Sequence, residues 1–192
     1  MKVIIDTSSL LSLVRYYLPF DKNFVLYELI KVKISQGEII IIDKVLEECS
    51  YNSKGIVINK LNYLSDKLFL KAAKLPVKTD LLIAPSPAKF LRQIDNQFVN
   101  MTVKKSKKLS DVEYENQKNR FLEDTDMKLI ILSLNLIKEN KEEIILVTEE
   151  TETSNDNKLF KKIPAICKEL DIITMSLPEV LKKYNDINLK FE

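Results

Sequence analysis

Acidic side chains follow three short apolar runs of this sequence, at the points where the runs end. Asp6 follows Val3-Ile4-Ile5, Asp43 follows a second run, and Glu149 and Glu150 come after a third. Runs of this length, rich in β-branched residues, are typical of strands buried on both faces of a parallel sheet. Because the carboxyl ends of parallel strands meet at one edge of the sheet, we expect these acids to lie close together.

Further acids lie on helices that should reach the same edge. Glu47 and Glu48 belong to the helix that follows the second run, and Asp124 and Asp126 precede a long apolar helix. Asp126 lies at helical spacing from the apolar positions of that helix, so it should face the buried side of the first turn. Asp124 or Thr125 is then free to cap the helix.

Asp6 has an alternative interpretation as the N-cap of the helix that follows it. Thr7, Ser8 and Ser9 could each cap this helix equally well, so an acid is not needed for capping. We therefore favour a functional role for Asp6.

The composition narrows the chemistry that such acids could perform. The chain contains no histidine, and its two cysteines, Cys49 and Cys167, lack metal-ligand spacing, which excludes imidazole-based triads and zinc sites. With only two glycines, Gly37 and Gly55, it has no glycine-rich nucleotide loop. Converging carboxylates repel one another unless a cation neutralises them, and ligand sets made only of oxygen select Mg²⁺ or Mn²⁺. The residues therefore predict metal-assisted hydrolysis of a phosphodiester.

The elements that must position these acids alternate along the chain. Four apolar runs predict strands over residues 3–5, 39–42, 144–147 and 172–175. Helical patterns cover residues 10–19, 24–34, 43–49, 127–137, 159–170 and 178–184, with Asp43 as a cap of the third helix and Gly37 closing the second. This alternation predicts an α/β fold of three layers, α/β/α, around a mostly parallel sheet of about four strands.

Residues 51–122 interrupt the alternation. They predict a helix over 56–73, irregular chain over 76–87 and a helix over 88–99, with no strand. Fourteen Lys and Arg against six Asp and Glu give this stretch a net charge of +8, whereas the rest of the chain has 16 basic and 22 acidic residues, a net charge of −6. We interpret the chain as one domain, residues 1–192, with a basic and mainly helical insertion at about 51–122.

Four short motifs, in order along the chain, resemble those of PIN-domain nucleases. They are Ile5-Asp6-Thr7-Ser8-Ser9-Leu10, Val45-Leu46-Glu47-Glu48, Asp126-Met127-Lys128-Leu129-Ile130 and Val147-Thr148-Glu149-Glu150. The family usually has Asp where Glu150 stands. The segments Arg15-Tyr16-Tyr17, Ser154-Asn155 and Lys162-Ile163-Pro164 resemble an uncharacterised bacterial subgroup of the family. The resemblance covers both ends of the chain and leaves residues 51–122 unmatched.

The resemblance implies a PIN-like fold and a Mg²⁺- or Mn²⁺-dependent endoribonuclease, of the kind found as toxins in toxin-antitoxin pairs. The catalytic and metal-binding acids that it implies are Asp6, Glu48, Asp126 and Glu150. Their neighbours Glu47, Asp124, Glu149 and Glu152 stay open as alternative ligands. The hydroxyls of Thr7, Ser8 and Thr148 are candidates to orient a carboxylate or a water molecule, although small polar residues at strand ends also act as simple caps.

RNA is the expected substrate, and an antitoxin protein and a second copy of the chain are further partners that we consider. We expect a lysine cluster in a loop of the insertion to contact RNA phosphates beside the site; a solvated lysine-rich surface is the alternative. This cluster consists of Lys104, Lys105, Lys107 and Lys108.

Two other functions compete with the nuclease. One is a PIN-like module that binds RNA or protein without cutting it. The other is a receiver-like phosphotransfer domain, which needs a lysine at a late strand end; none directly follows Val147 or Met175. Because the chain shows no secretory signal and no apolar run as long as a membrane span, we expect a soluble, cytoplasmic protein without a membrane partner.

Overall fold

The structure is a computed structural model that describes residues 1–139, 142–151 and 158–184. The strands are β1 (Lys2–Ile5), β2 (Ile39–Ile40), β3 (Ile144–Val147) and β4 (Ile173–Met175). The α-helices are α1 (Thr7–Ser12), α2 (Val25–Ser35), α3 (Asp43–Tyr51), α4 (Ile56–Lys60), α5 (Lys67–Ala72), α6 (Pro87–Gln93), α7 (Met101–Ser106), α8 (Asp111–Glu123), α9 (Thr125–Glu139), α10 (Ile163–Glu169) and α11 (Leu177–Lys183). Within the described ranges, no helix has the length and apolar composition needed to cross a membrane.

The four strands form one parallel sheet in the order β2-β1-β3-β4. β1 is central, so that Val3 pairs with Ile39 on one side and with Ile145 on the other. Three residues of β1 and all four of β3 are buried. Burial on both faces explains why these strands are continuously apolar in sequence. The predicted α/β fold with a parallel sheet of about four strands is confirmed.

Helices cover both faces of this sheet. From β1 the chain crosses to β2 on one side, then passes back over β1 to β3 and continues to β4. Right-handed crossovers in opposite directions place their helices on opposite faces. Accordingly, α9 and α10 pack on each other and against β3 and β4, whereas α1 packs on α3 and α2 packs on β2. The result is the expected three-layer α/β/α arrangement.

The second strand is shorter than predicted, because its last residues turn toward the insertion. Val77 donates its N–H to the carbonyl of Ile41 and forms an isolated bridge with Ile42. The prediction that Asp43 caps α3 is also wrong. Asp43 is the first helical residue, and its carboxylate accepts hydrogen bonds from the N–H and the hydroxyl of Thr79. This pairing holds the irregular chain after Pro76 against the start of α3.

Gly37 closes α2, as predicted. Its φ of +68° lies in the left-handed region, where glycine has no steric penalty. Its N–H donates to the carbonyl of Ile34, and the N–H of Glu38 donates to that of Lys33. This pair of bonds is the Schellman motif, which satisfies the last carbonyls of the helix.

The insertion is helical, but the continuous helix predicted over 56–73 is wrong. α4 ends at Lys60, a short 3₁₀ turn follows at Asn62–Ser65, and α5 begins at Lys67. Leu61 leaves helical geometry with φ −103° and ψ 64°, and the Asp66 carboxylate caps α5 by accepting N–H groups of its first turn. The apolar spacing did not reveal this break, because Leu61 itself is buried and so are residues on both sides of it.

The lysine cluster lies on a helix and in the turn that ends it, so the loop predicted for it is wrong. Lys104 and Lys105 belong to α7, whose start is capped by the side chain of Asn100. The chain then turns at Lys108, which has a φ of +47°. The ammonium of Lys104 lies 3.4 Å from the centre of the Tyr114 ring, a cation-π contact that holds one of the four lysines against α8.

Candidate functional site

The structure brings together the four acids that the sequence and the resemblance singled out. Asp6, Glu48, Asp126 and Glu150 line one pocket of about 230 Å³, which we call the acid pocket. It lies at the carboxyl ends of β1 and β3, next to the starts of α1 and α9. The remaining lining residues are Thr7, Ser8, Leu11, Asn52, Thr125 and Leu129.

Asp6 is held by the first turn of α1 and is only 5% exposed. Its Oδ1 accepts the N–H of Ser9 at 2.7 Å, and its Oδ2 accepts the hydroxyl of Ser8 at 2.7 Å. Asp6 is therefore the N-cap of α1, and the argument that neighbouring hydroxyls would do this instead is wrong. Asp6 has the extended backbone that an N-cap needs, and the hydroxyl of Thr7 is engaged elsewhere. The cap holds the carboxylate in place at the pocket wall.

Glu48 is held by two threonine hydroxyls from different helices. Thr7 donates to its Oε2 and Thr125 donates to its Oε1, each at 2.5 Å. Each carboxylate oxygen can accept a second interaction, so Glu48 keeps capacity for a further ligand. Glu47 is exposed and does not line the acid pocket. The sequence did not indicate that Thr125 bonds to Glu48, because the two residues are 77 positions apart.

The pKa of Asp126 is strongly raised. Burial, as the largest cause, and the charges of Glu150, Asp6, Glu48 and Asp124 together raise its pKa to about 7. Each of these neighbouring charges is negative, so in the protein alone the ionised carboxylate of Asp126 is opposed by its surroundings.

Asp124, the alternative to Asp126, is exposed and does not line the acid pocket. Burial also raises its pKa, but the charges of Lys44 and Lys158 act in the opposite direction. Asp124 therefore differs from Asp126 in having cations beside it.

Glu150 reaches the acid pocket from the chain after β3. Its N–H donates to the hydroxyl of Thr148, while its Oε2 is buried and has no hydrogen-bond partner in the described part of the chain. The neighbouring Glu149 instead accepts the N–H of Leu177 at the start of α11. Glu152 and the Ser154-Asn155 segment lie outside the described residues. A buried carboxylate oxygen without a partner is costly, so a cation placed at this side of the pocket would be stabilising.

The hydroxyl residues after the strands join these acids into one network. Thr7 bonds to Glu48, and Ser8 bonds to Asp6 while accepting the N–H of Glu149. Thr148 is buried and accepts the N–H of Glu150. All three hydroxyls named from the sequence therefore contact the acids or the chain that carries them.

The two cysteines lie close to the acids but remain thiols. Burial raises the pKa of Cys49 to about 12, with the charges of Glu48 and Asp6 adding to the effect. Burial and the charge of Asp126 likewise raise the pKa of Cys167 to about 12. Neither cysteine lines the acid pocket, so the donors that line it are oxygens.

A second, wider pocket of about 410 Å³ adjoins the acid pocket, and we call it the outer pocket. The two share Glu48, Thr125 and Asp126. The other lining residues are Lys44, Glu47, Tyr51, Glu123 and Asp124. The lysine cluster lines neither pocket. Lys44 lines the outer pocket and Lys158 acts on the charge of Asp124, although the sequence gave no reason to select either lysine.

In the described ranges, no group of three or more His, Cys, Asp or Glu side chains is arranged so that it could hold a metal ion. The chemistry of the acid pocket nevertheless fits a hard divalent cation. Its donors are carboxylates and hydroxyls, the neighbouring charges that raise the pKa of Asp126 are negative, and within the described ranges one buried oxygen of Glu150 has no hydrogen-bond partner. Such oxygen donors are those that Mg²⁺ and Mn²⁺ prefer.

The chain matches a protein-family model. It is described as "Domain of unknown function (DUF4411)", and it covers residues 83–186, just over half of the sequence. The matched part contains Asp126 and Glu150, whereas Asp6 and Glu48 precede it. No curated protein and no solved structure matches the chain.

Proposed function

We propose that this chain, which belongs to the DUF4411 family of unknown function, is an endoribonuclease that hydrolyses RNA phosphodiester bonds with Mg²⁺ or Mn²⁺. The acids that would hold the metal are Asp6, Glu48, Asp126 and Glu150. One observation carries the proposal: these acids line a single pocket, in which burial and the negative charges of its neighbours raise the pKa of Asp126 to about 7.

The argument for a metal is electrostatic. Each additional carboxylate in a partly buried pocket raises the free energy of ionising the others, and the structure places four of them around one space. Asp6 and Glu48 each accept two hydrogen bonds, but these donors are neutral hydroxyls and one backbone N–H. A divalent cation is the group that would neutralise such a pocket.

The argument for hydrolysis of a phosphodiester comes from the groups that the chain offers. Without histidine, the chain lacks imidazole-based nucleophile activation. Bound in the acid pocket, Mg²⁺ or Mn²⁺ would supply a water of lowered pKa and would neutralise charge on the phosphate.

The chain's own residues would hold this arrangement in place. The hydroxyls of Thr7 and Thr125 fix Glu48, and the first turn of α1 fixes Asp6. The apolar side chains of Leu11 and Leu129 form part of the wall. RNA is proposed as the substrate because the four acid-bearing motifs resemble those of PIN-domain nucleases.

Cleavage of a single-stranded RNA tests the proposal. The wild-type chain should cut it in Mn²⁺ or Mg²⁺ and should lose this activity in EDTA or with Asp6→Asn. Asp66→Asn is the matched control, because Asp66 caps α5 by the same kind of carboxylate contact as Asp6 caps α1. Asparagine caps helices about as well as aspartate, so both variants keep their helix starts. Activity that survives EDTA, or that persists in Asp6→Asn, would overturn the proposal.

Metal affinity separates the nuclease from a module that only binds RNA or protein. A ligand that binds the folded state stabilises it by mass action, so Mn²⁺ should raise the melting temperature of the wild-type chain. Asp126→Asn should reduce this gain. RNA binding without cleavage and without stabilisation by Mn²⁺ would favour the binding module instead.

A further inference from the structure

One face of α3 forms a wall of the outer pocket. Lys44, Glu47, Glu48 and Tyr51 all line it, and they lie at positions i, i+3, i+4 and i+7 of the helix. This spacing places the four side chains in one stripe about two turns long, roughly 10 Å from the first to the last. The stripe presents a cation at one end, carboxylates in the middle and an aromatic ring at the other end.

Tyr51 is the unusual member of this stripe. It is 62% exposed although it is a large aromatic residue, and it lies at the C-terminal end of α3 beside the acids. An exposed ring next to a candidate site is informative, because burial in the core does not account for it. Tyrosine also has few rotatable bonds, so ordering it on a ligand costs little conformational entropy.

The backbone fixes the place of this ring. After Tyr51 the chain enters the left-handed region at Ser53, Lys54 and Gly55, with φ values of 52°, 60° and 70°. A Cβ at Gly55 would lie 2.8 Å from the carbonyl oxygen of Ser50, so this turn requires glycine there. Arg15 donates a hydrogen bond to the hydroxyl of Ser53, which ties the turn to the helical segment after α1. This left-handed turn ends α3 at Tyr51.

The charges around the outer pocket limit how much the phosphates of an RNA could contribute to its binding free energy on their own. Its wall carries Glu47, Glu48, Glu123, Asp124 and Asp126. Against them stand Lys44 in the wall and Lys158 facing Asp124, while Lys128 pairs with Glu123 at 2.9 Å. A polyanion that reaches the acid pocket through this opening therefore needs contacts that do not depend on charge. Stacking of a base on an aromatic ring is such a contact.

We propose that Tyr51 is a stacking platform for one unpaired base of the RNA, with a neighbouring phosphate directed toward Lys44. This inference rests on the proposed function, since it takes RNA as the ligand, and it adds a specificity: the substrate is single-stranded at this position. A base within a duplex is stacked on its neighbours and has no free face for the ring.

The absence of tryptophan from the chain allows a direct measurement. In full-length protein that also carries Asp6→Asn, to keep the RNA intact, Tyr51→Trp introduces one fluorophore at the platform. Titration with an oligoadenylate of about ten nucleotides in Mn²⁺ should quench its fluorescence, because a stacked base contacts the ring. Phe20→Trp is the matched control, since Phe20 is 72% exposed and lines neither pocket. Quenching in Tyr51→Trp that is no stronger than in Phe20→Trp would overturn the proposal.

Affinity gives a second, independent test. Tyr51→Ala should weaken binding of the oligoadenylate by about five- to a hundredfold, whereas Tyr51→Phe keeps the ring and should bind within about twofold of the parent. An abasic strand of the same length lacks the stacking partner, so the alanine variant and its parent should bind this strand equally. A duplex of the same sequence should also fail to distinguish them. Equal affinity of Tyr51→Ala and its parent for the single strand would overturn the proposal.

The same variants separate this inference from the proposed function. If Tyr51→Ala changes neither the rate of metal-dependent cleavage nor the affinity for RNA, the platform is ruled out and the nuclease still stands. If the fluorophore at position 51 is quenched by bases but the wild-type chain does not cleave RNA, the nuclease is ruled out and the platform still stands.

Discussion

In the metal-free protein, Asp126→Asn should stabilise the fold, and the stabilisation should grow as the pH rises. The folded protein holds the pKa of Asp126 at about 7, above its ordinary value of 3.8. Between these two values the unfolded chain has released this proton while the folded chain still binds it. The stability of the wild-type protein therefore falls as the pH rises from about 4 to about 7, and this contribution stays low above pH 7. Asparagine carries no such proton, so the variant avoids this loss.

The difference in pKa sets the size of the effect. From 3.8 to about 7, at about 1.36 kcal/mol for each pH unit, the full linkage is about 4 kcal/mol. Asp126 keeps some contact with solvent, which screens the neighbouring charges, so we expect about half of this value. The advantage of Asp126→Asn in free energy of unfolding should thus rise from near zero at pH 4 to about 2 kcal/mol at pH 8.

Urea denaturation in EDTA, at several pH values between 4 and 8, measures this difference. Asp124→Asn is the matched control, because the same chemical change is made two residues away, at an exposed carboxylate that faces Lys44 and Lys158. Burial raises the pKa of Asp124 as well, but Lys44 and Lys158 oppose this, so its stability difference from wild type should change less with pH than that of Asp126→Asn. A constant difference for Asp126→Asn across this range, or a loss of stability at pH 8, would refute the view that the charge on Asp126 is uncompensated in the metal-free protein.

Three further predictions follow from the contacts in the site. Asp6→Asn and Asp6→Ala should both abolish RNA cleavage, but only Asp6→Ala loses the cap of α1 and should lower the free energy of unfolding by about 1 kcal/mol in urea titrations; equal stabilities would contradict the capping role. Thr125→Val removes a hydroxyl that orients Glu48 and should lower Mn²⁺ affinity by about 10- to 100-fold in calorimetry, while Thr125→Ser should keep it near wild type; an unchanged affinity in the valine variant would argue against this role. Replacing all four residues of the lysine cluster by alanine should weaken RNA binding for all sequences and flatten its dependence on salt; an unchanged salt slope would favour a solvated surface.

The sheet was predictable from sequence because its strands are buried on both faces. Such strands must be apolar at every position, which gives the short runs that mark β1 and β3. The end of β2 was not predictable. Ile41 and Ile42 continue the apolar run, but they bond to Val77 of the insertion rather than to the sheet. A local pattern carries no information about a partner 35 residues away.

The insertion shows a different limit of structure prediction from sequence. Apolar residues continue through the break at Leu61 because the residues on both sides are buried, including Val57, Tyr63 and Leu64. Periodicity reports which residues face the core, and it reports nothing about a change of helix direction between them. The cap at Asp66 was the available sequence signal for a new helix start, since aspartate is among the preferred N-cap residues.

In the site, the sequence located each pair of acids but could not orient it by spacing alone. Adjacent helical residues point about 100° apart, and here Glu48 lines the acid pocket whereas Glu47 lines only the outer pocket. Glu149 turns away from Glu150 because the start of α11 supplies an N–H for it, a contact across 28 residues. The positions of Lys44, Lys158 and Thr125 beside the acids also depend on tertiary packing.

At Asp6, the contacts that cap α1 are compatible with a place in the acid pocket. Its two oxygens accept the Ser9 N–H and the Ser8 hydroxyl, and these contacts set the carboxylate at the pocket wall. Two threonine hydroxyls do the same for Glu48, so one side of the acid pocket is already organised. On the other side, Asp126 is repelled by its neighbours and Glu150 has a buried oxygen without a partner in the described part of the chain. A cation between the two sides would relieve the repulsion. Asp6 and Glu48 would move little, because hydrogen bonds already fix both carboxylates.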